Sequence, residues 1–363
     1  MTRVSARGVA FGFDAATGLL DGFEVEDQGQ RIAPLHRAPW VGTAEVMPPD
    51  AAPLMATLGG DFFCAPFGGS EGASPLHGWP ANSAWTTVAE GGGALRAVLA
   101  RPVFGATLVK ELSVTDGHPF VYQRHIFIGG AGRVGVANHA NISVRNGALI
   151  RCSPKSHWET PKTPQESDPV RGRSALRYPA RAADPRAFPG LSGPVDLTGY
   201  PWNPRHEDFV LGIEERGHSL GWTAVTRPVE GDLYLSLRDA RALPMTMLWH
   251  SNGGRDFAPW SGRHFGCLGV EEGAAGYMLG MSSEGDLSGP GAVALTPDGV
   301  AEVRHVIGAI GWPAGEPVAS VVLGGDTVTV EGEGGAMRRV AVRAEFLGGV
   351  PAIPAERAFE GPS

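Results

Sequence analysis

Three parts of the 363-residue chain combine side chains that can transfer protons. The first contains His77, within a segment, 59–85, that is rich in glycine and aromatic residues and has neither helical nor clean strand periodicity. The second contains His139, in a polar run, 138–141, at the start of an otherwise apolar strand. The third, 248–272, mixes aromatic, basic and acidic residues and ends in two glutamates. Histidine and carboxylate chemistry is therefore the first functional hypothesis.

Two histidines and a carboxylate on one sheet face could carry out proton transfer on a sugar. One group would take a proton from a hydroxyl while another donates to a ring oxygen. Glu271 and Glu272 follow a predicted apolar strand, 266–270, where partial desolvation raises the pKa of a carboxyl. Aromatic rings would stack on a pyranose, and amide and guanidinium groups would bind its hydroxyls. The candidate substrate-binding residues are Asn82, Trp79, Trp249, Arg255, Arg263 and Trp260.

Structural roles compete with these functional ones. For His77 a buried corner with a satisfied core histidine explains the sequence as well as a catalytic role does. A structural role is favoured for four other histidines, His118, His125, His250 and His264. Glu272 is expected to be a solvated turn carboxylate, and Arg255 with Asp256 a surface ion pair of little energetic value.

Short strands separated by turns are expected to position these residues. Alternating apolar and polar residues predict antiparallel strands at 95–103, 107–115, 120–129 and 139–144. Further strands are predicted at 4–13, 19–26, 31–39, 276–281 and 319–330, among others, and single helical turns only at 284–287 and 354–359. About fifteen or more short strands predict an all-β fold, a large antiparallel sandwich forming one domain over 1–363.

The segment 154–205 departs from this pattern, with ten prolines, many arginines and no sustained period. It is too long for an ordinary hairpin loop, so it is either a disordered insertion or an ordered flap over the sheet. Its aromatic residues favour the flap, because a solvated linker has little use for them.

Composition narrows the partners and the compartment. A net charge of −8, without a basic run interleaved with aromatics, argues against nucleic acid and favours a neutral or weakly polar ligand. No secretory signal and no membrane-spanning stretch is evident, so a cytoplasmic location without membrane association is expected. Cys64, Cys152 and Cys267 are widely separated and form no CxxC pair, which predicts reduced thiols and no zinc site. No phosphate-binding or dinucleotide-binding glycine loop occurs, and no cofactor is expected.

These clusters resemble those of the galactose mutarotase-like (aldose 1-epimerase) superfamily. GGDFFCAPFGG and PLHGWPANSAW are similar to the Gly-Gly…Cys-x-Pro-Phe-Gly…His-Gly…Trp pattern of its hexose-6-phosphate mutarotase branch. NHANISV resembles the family's Asn-His strand, and CLGVEE resembles the strand that ends in its catalytic glutamate. The matches occur in the family's order, and with their flanking strands they span most of the chain. The resemblance implies a β-supersandwich with the sugar in a groove on its concave face.

The resemblance also implies residue roles. His139 would be the general acid that protonates the ring oxygen, Glu271 the base that removes the anomeric hydroxyl proton, and His77 the histidine that assists at the ring oxygen. The alternation after Leu268 selects Glu271 over Glu272. The implied activity is an aldose 1-epimerase-like isomerisation of a small carbohydrate without a metal. Whether the chain forms a homodimer is left open.

The chain departs from the family in two places. Ala81 and Asn82 stand where the mutarotase branch usually has an arginine soon after its His-Gly, and CAPFGGSEG lacks the Asn-Arg pair common upstream in aldose epimerases. A sugar phosphate is therefore not implied, and Arg255 or Arg263 would take over the hydroxyl contacts. Two alternatives remain open: a non-catalytic carbohydrate-binding protein on the same fold, and a different reaction on a larger glycoside or uronate in the same groove.

Overall fold

In the computed structural model, two large antiparallel sheets pack face to face. The structure describes residues 1–69, 74–276 and 291–348. The strands of the first part of the chain are β1 (Thr2–Ala6), β2 (Val9–Asp14), β3 (Leu19–Asp27), β4 (Gln30–Ile32), β5 (Asp61–Cys64), β6 (Trp85–Gly91), β7 (Ala94–Leu99), β8 (Ala106–Ser113), β9 (Phe120–Gly129), β10 (Gly132–Val134), β11 (Val136–Ser143), β12 (Ala148–Cys152) and β13 (Lys155–Glu159).

The second part of the chain is also built of strands. These are β14 (Arg181–Ala182), β15 (Phe188–Pro189), β16 (Pro194–Val195), β17 (Gly199–Tyr200), β18 (His206–Glu214), β19 (Leu220–Arg227), β20 (Asp232–Asp239), β21 (Met245–Asn252), β22 (Cys267–Ala274), β23 (Val293–Leu295), β24 (Val300–Gly311), β25 (Val318–Gly324), β26 (Thr327–Gly332) and β27 (Met337–Ala341). Helical structure in the described residues is limited to 3₁₀ turns at Pro53–Thr57, Trp79–Ala81 and Pro185–Ala187 and to α1 (Ala344–Leu347). No helix in the described part of the chain has the length and apolar character needed to cross a membrane.

Three of the candidate site residues, His139, Trp249 and Glu271, lie on strands of the larger of the two sheets. Within the described residues it has eleven strands in the order β1-β2-β3-β5-β11-β22-β21-β18-β13-β14, with β4 paired to β3. The smaller sheet has nine described strands in the order β17-β12-β19-β20-β24-β9-β8-β7-β6. The central pairs β5–β11, β11–β22 and β21–β22 are antiparallel, as are β9–β24 and β20–β24. The predicted all-β antiparallel sandwich is confirmed.

Strand alternation sends the side chains of the two central strands to opposite faces of the larger sheet. The register of β11 on β22 sets Asn138 opposite Glu272 and His139 opposite Glu271. Successive residues of a strand point to opposite faces, so one of these pairs faces the second sheet and the other faces outward. The core between the sheets contains Val270 of β22, whereas Cys267 belongs to an apolar cluster on the outer face. His139 and Glu271 therefore share the outer face.

Glu272 is buried between the sheets, so the expectation of a solvated turn carboxylate is wrong. Its Oε2 lies 2.9 Å from Arg238 Nη1, and neither side chain has any exposed surface. It accepts hydrogen bonds from the hydroxyl groups of Thr223, Ser236 and Thr246. The predicted strand 266–270 in fact continues through both glutamates to Ala274, as β22. A buried carboxylate is tolerated here because a cation and three hydroxyls compensate for its lost hydration.

Several other boundaries differ from those predicted. The region 4–13 forms a hairpin, β1–β2, and 319–330 likewise contains two strands, β25 and β26. The region 31–39 contributes only the end of β4 as regular strand, followed by isolated bridges from Leu35 to Ile142 and from Arg37 to Gly59. The helical turns predicted at 284–287 and 354–359, and the strand at 276–281 beyond Gly276, lie outside the described residues.

The segment 154–205 takes part in both sheets. Its strands β13 and β14 form one edge of the larger sheet, and β17 pairs with β12 at the edge of the smaller one. Its aromatic residues belong to the core between the sheets or pack against it; these are Trp158, Tyr178, Phe188, Tyr200 and Trp202. The aromatic content noted in the sequence corresponds to this packing.

The Glu272 cluster predicts a large effect on stability. Replacing Glu272 with Ala leaves Arg238 and three buried hydroxyls without that partner, and we expect a loss of about 3–5 kcal/mol in the free energy of unfolding. Glu333→Ala is the matched control, because it removes a carboxylate that pairs with Arg151 while 43% exposed, and it should cost less than about 1 kcal/mol. Urea unfolding followed by circular dichroism measures both. Equal losses in the two variants would show that the buried Glu272 cluster stabilises the fold no more than the exposed pair of Glu333 with Arg151.

Candidate active site

A pocket of about 140 Å³ opens on the outer face of the larger sheet. Most of the side chains that line it are apolar: Leu54, Met55, Leu58, Phe62, Phe67, Leu76, Phe209, Trp249 and Trp260. The polar side chains in its lining are His77, His139, Gln165, Arg255 and Glu271. All three predicted catalytic residues thus reach one cavity, together with three of the six predicted substrate-binding residues.

His139 and Glu271 form the polar centre of the pocket. They are cross-strand neighbours on β11 and β22, and His139 Nε2 lies 3.2 Å from Glu271 Oε1. Both are almost completely buried, at 3% and 2% exposure. The ring of Phe62 stacks on His139 with centroids 4.4 Å apart, and the ring of Trp249 approaches edge-on at 5.8 Å. His139 Nδ1 and Glu271 Oε2 are buried and have no hydrogen-bond partner among the described residues.

Burial shifts the pKa values of this pair in opposite directions. Loss of hydration raises the pKa of the Glu271 carboxyl well above its usual range. Burial, with a smaller contribution from His77, lowers the pKa of the His139 imidazole well below its usual range. Both shifts favour the neutral form of each side chain over an ion pair, and in that neutral state the two side chains share one titratable proton. A pair with one shared proton can both give and accept a proton.

Gly269 provides the space that this pair occupies. It lies between Cys267 and Glu271 on the outer face of β22. A methyl group at position 269 would lie 2.9 Å from Glu271 Oε1 and 3.2 Å from the His139 ring. Both distances are shorter than ordinary van der Waals contact, so any larger residue would displace the pair.

The 59–85 segment holds His77 beside the pair. An isolated β-bridge joins Ala65 to Gly78. Gly78 has a φ of +74°, and a Cβ atom on it would lie 2.1 Å from the Ala65 carbonyl oxygen. Only glycine fits there. The Gly68 N–H donates to His77 Nδ1 over 3.2 Å, which leaves the proton of a neutral ring on Nε2. Residues 70–73 of the segment lie outside the described part.

His77 is neutral under ordinary conditions. Burial, and secondly the charge of Arg255, lower its pKa to about 3. Its ring meets that of His139 edge-on, with centroids 5.3 Å apart. A neutral imidazole with its proton on Nε2 is a hydrogen-bond donor rather than a strong acid. His77 is therefore suited to binding an oxygen that His139 also approaches.

Arg255 forms the opposite wall of the pocket with two tryptophans. Its guanidinium lies over the rings of Trp260 and Trp249, 4.3 and 5.9 Å from their centroids. Its charge is paired with Glu207, with Arg255 Nη2 3.0 Å from Glu207 Oε1. The predicted surface pair with Asp256 is wrong, because Asp256 pairs with Arg173 and Arg205 instead.

Glu207 is an unpredicted residue that holds this wall in place. It is 2% exposed and, besides Arg255, accepts hydrogen bonds from Trp249 Nε1 and Ser251 Oγ. Burial raises its pKa, while Arg255 and the two hydrogen bonds favour its charged form. The sequence offers only a weak signal, a carboxylate at the start of the strand β18.

Three predicted substrate-binding residues lie outside the lining of the pocket. Trp79 packs on the core between the sheets, with the Arg101 guanidinium 4.2 Å from its ring centroid. Arg263 forms an ion pair with Glu45 near the surface. Asn82 is buried in backbone contacts, as described next.

Asn82 holds two walls of the pocket together. Its Oδ1 accepts from the Leu54 N–H at 2.9 Å, and its Nδ2 donates to the carbonyl oxygens of Leu76 and Gly78, each at 2.7 Å. It thereby ties the 3₁₀ turn Pro53–Thr57 to the loop that carries His77. That turn supplies the apolar residues Leu54 and Met55 of the pocket, which the sequence analysis did not select although they precede the 59–85 segment directly.

The four histidines expected to be structural also lie outside the lining. His118 contacts the Tyr122 hydroxyl, His125 stacks on Phe63, His250 stacks on Trp202, and His264 contacts His36. The segment 154–205 contributes Gln165 to the pocket. It therefore forms part of one wall.

Comparison with known proteins identifies the fold. No protein-family model matches the chain, and no curated protein sequence matches it. Among solved structures, a galactose mutarotase related enzyme from Lactobacillus acidophilus matches with a TM-score of 0.53 at 10% identity, covering 86% of this chain and 98% of that one. A candidate aldose 1-epimerase from Escherichia coli K12 matches with a TM-score of 0.53 at 12% identity over 85% and 97%.

A third solved structure, a galactose mutarotase-like protein from Lactobacillus casei, matches with a TM-score of 0.51 at 10% identity over 85% of this chain and 99% of that one. These matches extend over nearly the full length of the neighbouring chains. Together with the two-sheet architecture described above, they show that this chain has the galactose mutarotase-like fold.

Proposed function

We propose that the protein is an aldose 1-epimerase-like isomerase that interconverts the anomers of a small, uncharged aldose. The observation that supports this most directly is the contact between His139 and Glu271, a buried acid–base pair in an aromatic-lined pocket. Anomer exchange needs an acid and a base at two oxygens bonded to the same carbon. Two adjacent side chains meet that requirement.

The reaction follows from the state of this pair. Transfer of the shared proton from Glu271 to His139 creates a carboxylate and an imidazolium. The Glu271 carboxylate takes the proton of the anomeric hydroxyl, the bond between the anomeric carbon and the ring oxygen breaks, and His139 protonates that oxygen. Rotation of the open-chain aldehyde and the reverse steps close the ring on the other face. The pair ends with one proton, as it began.

His77 would bind the ring oxygen throughout. Its Nε2 carries the proton of a neutral imidazole because Nδ1 accepts from the Gly68 N–H. A donor fixed in place before the reaction stabilises the negative charge that develops on the ring oxygen as the bond breaks. This division of roles requires His77 to stay neutral, which its lowered pKa favours.

The charges of the pocket favour a neutral sugar over a sugar phosphate. Among the described lining residues, Arg255 is the sole cation, and its charge is already paired with Glu207. A phosphate would lack the unpaired cation or cluster of N–H donors that usually binds it. Trp249 and Trp260 offer rings for the apolar face of a pyranose.

Replacing Glu271 with Gln should abolish most of the activity. Gln keeps the size and loses the base, so the rate of anomer exchange above the spontaneous rate should fall by about 10²–10⁴. Saturation-exchange NMR over a panel of free, 6-deoxy and phosphorylated aldoses measures it. Glu333→Gln is the matched control, because Glu333 pairs with Arg151 and neither residue lines the pocket. It should leave the rate unchanged.

His139→Ala should show the same loss in the same assay. Exchange that persists in both variants would refute the proposed roles. A sugar that binds, by ligand-observed NMR, without exchange faster than the spontaneous rate would instead support the non-catalytic carbohydrate-binding alternative.

The pH profile should differ from that of an ordinary histidine. Activity requires one proton on the His139–Glu271 pair, and it is lost on the acid side when His139 also binds a proton and on the alkaline side when Glu271 ionises with His139 neutral. The lowered pKa of His139 moves the acid limb well below 6.5, and the raised pKa of Glu271 moves the alkaline limb well above 4.5. We expect kcat/KM, corrected for spontaneous exchange, to be lost on the acid side only well below pH 6.5. An acid limb centred at pH 6.5 would contradict the proposed state of the pair.

Gly269→Ala tests whether the geometry of the pair matters. The added methyl group would lie 2.9 Å from Glu271 Oε1 and should separate the acid from the base. We expect kcat to fall at least about tenfold, since small displacements of catalytic groups are costly. Gly324→Ala is the control, a strand glycine with nothing within 4 Å of the added methyl, and it should retain full activity. A fully active Gly269→Ala enzyme would exclude a role for the close contact.

A further inference from the structure

Three side chains that can bind metals meet beneath the aromatic wall of the pocket. His36 follows β4, His264 lies in the loop before β22, and Cys267 begins β22. Each is at most 3% exposed. His36 Nε2 lies 3.1 Å from His264 Nε2, and one ligand atom from each of the three residues lies within 4.8 Å of the other two. The cluster lies outside the lining of the pocket and the proposed reaction makes no use of it.

We propose that His36, His264 and Cys267 form a binding site for a d-block cation of the zinc type. Bonds of about 2.0–2.1 Å to nitrogen and 2.3 Å to sulfur place the ligand atoms of a tetrahedral zinc site roughly 3.3–3.7 Å apart. The two imidazole nitrogens are already within a few tenths of an ångström of that separation. Two imidazoles and a thiolate favour Zn²⁺ or Co²⁺ over Mg²⁺ or Ca²⁺, which prefer oxygen.

The backbone holds all three ligands without a metal. The His36 N–H donates to the Asn141 carbonyl oxygen of β11 at 2.7 Å, and the His36 carbonyl oxygen accepts from the Gly60 N–H at 2.9 Å. The His264 carbonyl oxygen accepts from the Gly253 N–H at 2.7 Å, and Cys267 pairs with Ser251 in the sheet. Only side-chain rotations are then needed to close the site, so little ordering opposes metal binding.

A relay of hydrogen bonds sets the His264 ring in the state that binds metal. The Ser251 hydroxyl lies 2.8 Å from Glu207 Oε2 and 2.7 Å from His264 Nδ1. Glu207, ion-paired with Arg255, accepts the hydroxyl proton, so Ser251 Oγ must accept from His264 Nδ1–H. The lone pair of a neutral His264 is therefore on Nε2, which faces His36. Orientation of a ligating histidine through its second nitrogen is a regular feature of metal sites.

Asn141 offers a fourth ligand atom. Its Nδ2 donates to the carbonyl oxygens of Gly59 and Gly60, each at 3.2 Å, which turns Oδ1 toward Cys267 Sγ, 3.8 Å away. This amide oxygen or a water would complete four-coordination.

Metal binding changes the protonation of His36 and Cys267. In the metal-free chain, the bare Nε2 of His264 requires that His36 Nε2–H donates across the 3.1 Å contact. On binding, the His36 ring proton moves to Nδ1, the Cys267 thiol loses its proton to solvent, and the cation joins two neutral imidazoles and a thiolate. The metal would fasten the segment after β4 to the loop before β22.

Neighbouring tryptophans provide a reporter for the site. The His264 ring stacks on Trp249 at 5.7 Å with an interplanar angle of 17°, and the rings of Trp40 and Trp260 lie 5.4 and 5.1 Å from it. Cobalt bound at His264 would quench their fluorescence, and a thiolate–cobalt bond would add a charge-transfer band in the near ultraviolet.

The test is titration of the chelator-treated full chain with Co²⁺ alone, followed by competition with Zn²⁺. We expect one equivalent to bind, with the thiolate band and tryptophan quenching, displacement by Zn²⁺ and no response to Mg²⁺. Cys267→Ser should remove the band and weaken binding at least about 100-fold, and Ser251→Ala should weaken it about 10–100-fold by releasing the His264 ring. Cys152→Ser, a half-buried thiol outside the cluster, is the control and should bind as wild type does.

The measurement on the wild-type chain decides the matter even if a variant fails to fold. Absence of stoichiometric Co²⁺ and Zn²⁺ binding would overturn the proposal and leave a histidine pair held by one hydrogen bond. A thiolate band that persists in Cys267→Ser would also overturn it, since the metal would then be bound elsewhere. Neither result depends on whether the chain has isomerase activity.

Discussion

The cross-strand register of β11 on β22 is the constraint on which the candidate site depends. It sets His139 opposite Glu271 on the outer face and, one residue along, Asn138 opposite Glu272 on the inner face. A shift of one residue would exchange the two faces. Glu271 would then face the second sheet and Glu272 the pocket, and neither would keep its present partner, His139 for Glu271 and Arg238 for Glu272. The antiparallel pairing of these two central strands thus fixes both the chemistry and the electrostatics of the core.

Burial gives the outer pair its chemical character. In water a glutamate loses its proton before a histidine does, so a contact between them would be an ion pair. Within this pocket the pKa of Glu271 is raised and that of His139 is lowered by the same loss of hydration, and the neutral arrangement is favoured. Aromatic walls such as Phe62 and Trp249 therefore do more than contact a ligand, because they exclude the water that would restore the ionic form.

The sequence predicted those features that depend on local pattern. Alternating strands predicted the all-β sandwich, and the motifs around His77, His139 and Glu271 predicted three residues that the fold brings into one pocket. Trp79 and Arg263 were selected for residue type alone, and their neighbours Arg101 and Glu45, which no local pattern reveals, hold them elsewhere. Long-range partners also explain why the environment of Glu272 was predicted wrongly: the compensating Arg238 and hydroxyls come from the facing sheet and from β21, distant in sequence.

Glu207 shows how such long-range contacts connect separate parts of the molecule. Its carboxylate accepts from Trp249 and Ser251 and pairs with Arg255, so a single buried charge orients the aromatic wall of the pocket, neutralises the pocket's cation and, through Ser251, fixes the tautomer of His264. These contacts join the wall of the pocket and the histidine cluster in one hydrogen-bonded network. A ligand that displaced Arg255 from Glu207 would change the hydrogen bonds that Glu207 accepts from Trp249 and Ser251. The buried charge of Glu207 is therefore the physical link between the wall of the pocket and the histidine cluster.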